Sequence, residues 1–330
     1  MKFLYFLVCF CIGCAEVPVQ KKKIFEADDA EEFQKICRRI GNLNMTAVAT
    51  GSAINKMSAS GLRILIKKYG VNISDTVLAN RDIFAGADTD DHRLNYLLDA
   101  INSNYEIIWA ARGGYGTARI IAPLNYLPEP KFPKTFVGFC DATALNLFIS
   151  QKWPRWRVIH ATVLTFLNKT DFENKFEILL DILENKIDHY EMDGVYPLND
   201  KALAQKSVTG KLTGGNLCTV VSSLKTCWEI QTDGKILFLE DTHEMPEHIY
   251  RAMYHLKEAG KLSKVKAVIF GHFHEAGNPE RLELFLKGFA QTLDIPVYIT
   301  NKFGHGIYNV PLIYNAKATI NDNKMTVSVK

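Results

Sequence analysis

Apolar residues in the first half of the chain fall in short continuous runs separated by amphipathic stretches. Thr46–Thr50 predicts a strand opening onto Gly51-Ser52, Lys56–Tyr69 an amphipathic helix closed by Gly70, and Val71–Leu78 a further strand. Asp90–Asn102 predicts a helix, and Glu106–Ala111 a buried strand running into Arg112-Gly-Gly-Tyr-Gly116. Strands alternating with helices at this spacing indicate an α/β arrangement, a parallel sheet with both faces covered, whose sites form at the carboxyl ends of the strands. Thr135–Val137 is β-favouring, Gly138 permits a tight backbone, and Asp141–Ile149 carries apolar residues at helical spacing. Cys140 therefore stands at a strand-to-helix elbow.

The second half is organised differently. Phe172–Lys186 predicts a helix, and an irregular polar stretch with Asp193-Gly194 and Pro197 follows. Ser207–Leu212, Lys235–Leu239, Ala267–Phe270, Val297–Thr300 and Ala316–Val329 predict strands, with an amphipathic helix over Pro246–Ala259. The expected organisation is a signal peptide at 1–15, an N-terminal extension at 16–45 containing an acidic-then-basic helix at Asp28–Ile40, and an α/β domain at 46–170. A linker at 171–206 and a smaller β-rich domain at 207–330 complete it.

Lys2 followed by an apolar run from Phe3 to Cys14, with small residues Gly13 and Ala15 before Glu16, reads as a secretory signal peptide and predicts export to the periplasm. The run is shorter than the roughly 20 residues a bilayer span needs. Cys11-Ile12-Gly13-Cys14 also resembles a lipoprotein cleavage box, with Cys11 where such a box usually has Leu; lipidation at Cys14 would then give a membrane tether.

The chain has 330 residues, 47% hydrophobic and 23% charged, which suits two domains of soluble globular type. A formal charge of +3, with Lys21-Lys22-Lys23 the single short basic run, argues against a nucleic-acid partner. Three of the seven cysteines, Cys9, Cys11 and Cys14, lie in the leader. The remaining Cys37, Cys140, Cys218 and Cys227 have neither disulfide-scaffold nor zinc-site spacing.

Two further residues bear on Cys140, which taken alone reads as readily as a buried structural thiol. Leu237-Phe-Leu-Glu240-Asp241 ends a strand with a carboxylate, and Phe303-Gly-His305-Gly306 places an imidazole in a glycine-flanked turn. Nucleophile, acid and base in that order are the groups acyl transfer needs: the imidazole moves the nucleophile's proton and the carboxylate fixes its tautomer. A metal peptidase is a poorer fit. His243-Glu-Met-Pro-Glu-His248 spaces its histidines five apart with Pro246 between them, and His272-Phe-His274 brings no third ligand.

Six ordered motifs then resemble the LD-carboxypeptidases, or muramoyl-tetrapeptide carboxypeptidases, a family that includes the microcin C self-immunity peptidases. They are Ala85-Gly-Ala-Asp88 with Arg93, Arg112-Gly-Gly-Tyr-Gly116, Gly138-Phe-Cys-Asp-Ala-Thr-Ala-Leu145, Thr213-Gly-Gly-Asn-Leu217, Leu237-Phe-Leu-Glu-Asp241 with Glu244, Pro246 and Arg251, and Gly304-His-Gly306. The resemblance implies a serine-type peptidase with a Ser-Glu-His triad, a flavodoxin-like N-terminal domain holding the nucleophile and a β-rich C-terminal domain supplying Glu and His. It also implies an enzyme needing no metal or organic cofactor, often homodimeric, that removes the terminal D-amino acid of murein tetrapeptides. Carried over, Glu240 is the orienting acid, His305 the base, and the amides of Asp141 and Gly114 the oxyanion hole. Arg112, Gly113 and Asn216 would contact substrate, Arg112 through a bidentate fork to a carboxylate or else as part of an ion pair at the turn.

The chain departs from that pattern at its nucleophile, where Cys140 replaces serine. A natural thiol hydrolase, a muropeptide-binding protein with impaired or lost catalysis, and an introduced substitution are the alternatives. Ala161-Thr162 after His160, in place of Gly-Pro, and Tyr314-Asn315 past Pro311, in place of a Gly, bear on the pocket.

Overall fold

The three central segments of the first sheet, Met45–Val48, Ile107–Ala110 and Thr135–Gly138, are buried at every residue, as a parallel sheet covered on both faces requires. A computed structural model describes residues 27–54, 59–73, 77–78, 81–168 and 173–330. The predicted leader with Cys14, and the expected start of the helix at Lys56, lie outside them. Strands β1 (Met45–Val48), β2 (Asn72–Ile73), β3 (Ile107–Ala110), β4 (Thr135–Gly138) and β5 (Arg157–His160) pair in parallel. Their order β5-β4-β3-β1-β2 reverses direction at β1 and β3, and such switch points open crevices at strand carboxyl ends. The strand expected over Val71–Leu78 is shorter: pairing is confined to Asn72–Ile73, and Val77-Leu78 are helical.

The extension contributes a helix, Ala27–Gly41, whose apolar Ile36, Cys37 and Ile40 are fully buried. Its Arg39 reaches Asp181 at 2.5 Å and Glu184 at 2.6 Å on the helix Glu173–Leu183.

The segment expected to be an irregular linker is ordered. After Glu173–Leu183 come β6 (His189–Asp193) and β7 (Tyr196–Pro197), then the short helix Asp200–Ala204. These strands are the two edges of a second sheet, completed by β8 (Ser207–Asn216), β9 (Lys235–Thr242), β10 (Ala267–His274) and β11 (Val297–Gly304). A strand β12 (Leu312–Ile313) leaves to pair antiparallel with β5 in the first sheet, and β13 (Lys317–Asn321) and β14 (Lys324–Ser328) return as a hairpin. The order is β6-β14-β13-β8-β9-β10-β11-β7, with β8 to β11 parallel. Ala316–Val329, expected as one strand, is this hairpin, turned at Asp322-Asn323, both at positive φ.

Through β12 the second domain is tied into the first sheet. Tyr314 donates its hydroxyl to the Gly214 carbonyl at 2.8 Å, and Asn315 occupies the left-handed region at φ 61, a conformation glycine adopts freely and asparagine tolerates. Tyr314 is buried in the junction between the sheets, so the Tyr-Asn pair replaces glycine at a turn and not in the cleft wall.

Candidate active site

Cys140 is held at a strained elbow. Phe139 is extended at φ −144 and ψ 156, Cys140 turns to φ 59, and a single helical turn at Cys140–Ala142 leads into the helix Thr143–Lys152. A non-glycine residue in that region costs about 1–3 kcal/mol and persists where its surroundings over-determine it. Those surroundings are tight. A Cβ on Gly138 would lie 2.7 Å from Asn146 Oδ1 and 2.9 Å from Ala142 Cβ, and Asn146 donates its amide to the Gly138 carbonyl at 3.0 Å. Thr143 to Ser150 are all buried, so the helix is fixed on every face.

The glycine-rich turn after β3 lies against this elbow. Gly114 and Gly116 sit at φ 97 and 111. The Ser52 N–H donates to the Gly113 carbonyl at 2.9 Å, and the Ser52 hydroxyl accepts from the Tyr115 N–H and donates to the Ala85 carbonyl. Arg93, buried, donates to the carbonyls of Thr50 and Gly116 and pairs with Asp90 at 2.5 Å. Asp141 accepts from the Thr117 N–H at 2.9 Å. Burial pushes its carboxyl upward, against the hydrogen bonds from Thr117 and the charge of Arg93. Gly51, Ser52, Arg93 and Thr117 thus fix the turn's path; of these, Ser52 and Thr117 were not foreseen as supports, because their partners lie far along the chain.

The acid and base come from the second sheet. Glu240, in β9, is fully buried, and His305, just past β11, places Nδ1 2.5 Å from Glu240 Oε2. The His305 ring lies against Phe139 with centroids 4.4 Å apart and lines the same cleft as Cys140. Burial would lower its proton affinity, but the Glu240 charge and the bonds to Cys140 and Glu240 outweigh it and push His305 up to about 10. Nδ1 therefore carries a proton toward the carboxylate, and the pairing favours the protonated ring.

Cys140, Asp141, Gly113, Gly114, Arg112, Asn216 and His305 all line one cleft of about 670 Å³, with Glu240 behind His305. That size suits a small-molecule or short-peptide ligand. Among the described residues Arg112 has no ion pair at the turn; its guanidinium donates to the Ala53 carbonyl. Asn216 is held in the cleft wall: its amide nitrogen donates to Asp241 at 2.7 Å and its oxygen caps the helix Leu217–Ser222 by accepting from Thr219. Asp241, which also accepts from the Cys218 and Thr242 amides, is the partner that sequence spacing did not assign a role. The histidines of the rejected metal motif have other partners, His243 with Glu275 at 2.8 Å and His248 with Glu244 at 3.1 Å.

A thiol on the first sheet and an imidazole–carboxylate pair from the second thus meet at one cleft in an α/β fold of two sheets. Models of the LD-carboxypeptidase N-terminal and C-terminal domains match residues 44–161 and 209–320. A Rickettsia conorii protein named "Putative carboxypeptidase" is 41% identical over 86% of this chain and 89% of its own length. A Bacillus subtilis protein named "Probable murein peptide carboxypeptidase" is 29% identical over 74% of this chain and 78% of its own. The muramoyltetrapeptide carboxypeptidase of Oxalobacter formigenes shares the fold, with a TM-score of 0.71 at 23% identity, over 86% of this chain and 97% of that one. The chain belongs to the LD-carboxypeptidase family.

Proposed function

We propose that the chain hydrolyses the terminal D-alanine from murein tetrapeptides, with Cys140 as the attacking group in the position of the family serine. The observation that carries this reading is Cys140, at φ 59, sharing one cleft with a His305 that Glu240 holds at 2.5 Å. The murein-peptide names of the relatives support the substrate class.

In this mechanism the Cys140 sulfur, as thiolate, attacks the scissile carbonyl, and the amides of Asp141 and Gly114 receive the developing oxyanion. Such donors are worth about 10² to 10³ in rate each. The imidazolium of His305 gives its proton to the leaving amine as the C–N bond breaks, freeing D-alanine and leaving a thioester. Water then attacks the thioester, His305 takes its proton, and the C–S bond breaks to return thiolate, imidazolium and the shortened peptide. Glu240 keeps the ring in register throughout. Arg112 at the cleft wall offers a cation for the substrate's terminal carboxylate. The leader supports an exported, periplasmic enzyme, tethered if Cys14 is lipidated, and family resemblance supports a homodimer.

The test is D-alanine release from purified murein tetrapeptide by the protein, by Cys140→Ser and by His305→Ala. Turnover by the cysteine form, abolished in His305→Ala and by alkylation, supports the reading. Turnover by the serine form alone makes Cys140 a disabling substitution. Saturable tetrapeptide binding with no release by either form replaces it with a muropeptide-binding protein.

A further inference from the structure

A carboxylate buried without water needs its lone pairs filled by donors, since an ion with open hydrogen-bonding sites in the interior is costly. Glu240 is fully buried and meets this requirement on one side only. Its Oε2 is taken by His305, whereas its Oε1 has no hydrogen-bond partner among the described residues. Facing that oxygen is His160, with Nε2 3.8 Å away. His160 is itself fully buried, both its ring nitrogens are without a hydrogen-bond partner among the described residues, and it is wedged between Phe139 and Phe238 at centroid distances of 4.9 and 5.3 Å. It ends β5 opposite Leu312 of β12, the strand that ties the domains together.

Burial, aided by the nearby His305, brings His160 down to about 3, so its ring is neutral and has one N–H to give. A separation of 3.8 Å is too long for a hydrogen bond and too short to seat a water between the two atoms. Contacts of this kind are often long in a ligand-free enzyme and tighten in the substrate complex. We propose that His160 is a positioning residue whose Nε2–H closes onto Glu240 Oε1, so that the carboxylate is gripped from both sides in the chain His160, Glu240, His305, Cys140. The other titratable groups acting on Glu240 or His305 are Asp241, His272 and Tyr314, and none of them fills Oε1. The catalytic consequence rests on the peptidase reading above; the contact itself does not.

His160→Phe keeps the ring volume and removes the donor, and His160→Gln keeps an N–H near the Nε2 position. Losing a hydrogen bond to a charged group corresponds to a fall of about ten- to a hundredfold in kcat. His160→Phe should show that loss with KM little changed. His160→Gln should recover most of the rate. Full activity in His160→Phe, or equal losses in both variants, overturns the proposal. An arm independent of turnover uses 15N-histidine NMR of the unmodified protein. The Nε2–H tautomer is expected for His160, and the Nδ1–H tautomer overturns the contact even if D-alanine release is never observed or the variants fail to fold.

Discussion

Replacing Gly113 by alanine adds one methyl group against the nucleophile, and its cost follows from the backbone. A Cβ built on Gly113 lies 2.7 Å from Cys140 Cβ, 3.2 Å from Cys140 Sγ and 3.3 Å from the Phe139 carbonyl oxygen. Carbon–carbon contacts settle at about 3.5–4.0 Å, so one of the two segments must retreat by about 1 Å. Neither has easy room. Cys140 already occupies a strained turn, and on its far side Gly113 passes so close to Gly51 that a Cβ there would stand 2.4 Å from the Gly113 carbonyl oxygen. Misplacing a nucleophile by about 1 Å costs roughly 10²-fold, or about 2.7 kcal/mol of transition-state stabilisation at ~1.36 kcal/mol per tenfold. Overpacking should also lower stability by about 1–3 kcal/mol. The assay is kcat/KM for D-alanine release with a parallel thermal melt, so that lost activity in folded protein is distinguished from unfolding. A Gly113→Ala enzyme within about threefold of the unmodified protein would refute the claim that this turn fixes the nucleophile to sub-ångström tolerance.

Three further outcomes are expected. Gly288, inside the helix Pro279–Gln291 and with nothing within 4 Å of its would-be Cβ, should accept alanine with a gain of about 0.5–1 kcal/mol in denaturant unfolding and no change in turnover; a destabilised variant refutes this. Iodoacetamide at neutral pH, read by peptide mass spectrometry, should label Cys140 first and the exposed Cys227 at an ordinary thiol rate. Cys37, pushed up to about 12 by burial, and Cys218, raised by burial and by Asp241 and Glu244, should resist, and labelling of Cys37 ahead of Cys140 would contradict the site. Because the folded-state value of His305 is raised from 6.5 to about 10, the stability it contributes is complete below 6.5 and lost as pH climbs through about 10. Turnover by the cysteine enzyme should fall over that same upper range as the proton for the leaving amine is lost, whereas Cys140→Ser, which needs a neutral imidazole, should gain rate with pH; parallel profiles would refute the ion-pair mechanism.

The elbow at Cys140 was legible because its determinants are local: a buried run, Gly138 where a Cβ would strike Asn146 and Ala142, and helical spacing afterwards. Glu240 and His305 were legible as chemistry at strand ends, but their 2.5 Å approach depends on β9, β10 and β11 lying side by side, which no local pattern specifies. The edge strand β6 carried a period-two signal, Tyr190 and Met192 buried between exposed neighbours, yet its partner β14 lies far along the chain, and short polar strands between turn residues look like linker. The Asp241 and Thr219 partners that hold Asn216 in the cleft wall were not legible, because Asp241 comes from another strand.

The exchange of serine for cysteine is consistent with the rest of the site in a way the sequence alone does not reveal. A serine hydroxyl gains nothing from an imidazolium neighbour, because its proton must go to a neutral ring. A thiol gains a great deal, since a cation beside it favours the thiolate, which is the attacking species. Glu240, buried and bonded to Nδ1, holds His305 on the protonated side of neutrality, and that is the state a thiol nucleophile uses. The same pairing couples the domains chemically. In the proposed mechanism the cation beside Cys140 is made by a carboxylate of the second sheet, and β12, paired with the strand that ends in His160, ties the two sheets together. Loosening that strand should therefore depress Cys140 alkylation and D-alanine release together, while a substitution confined to the cleft wall should affect release alone.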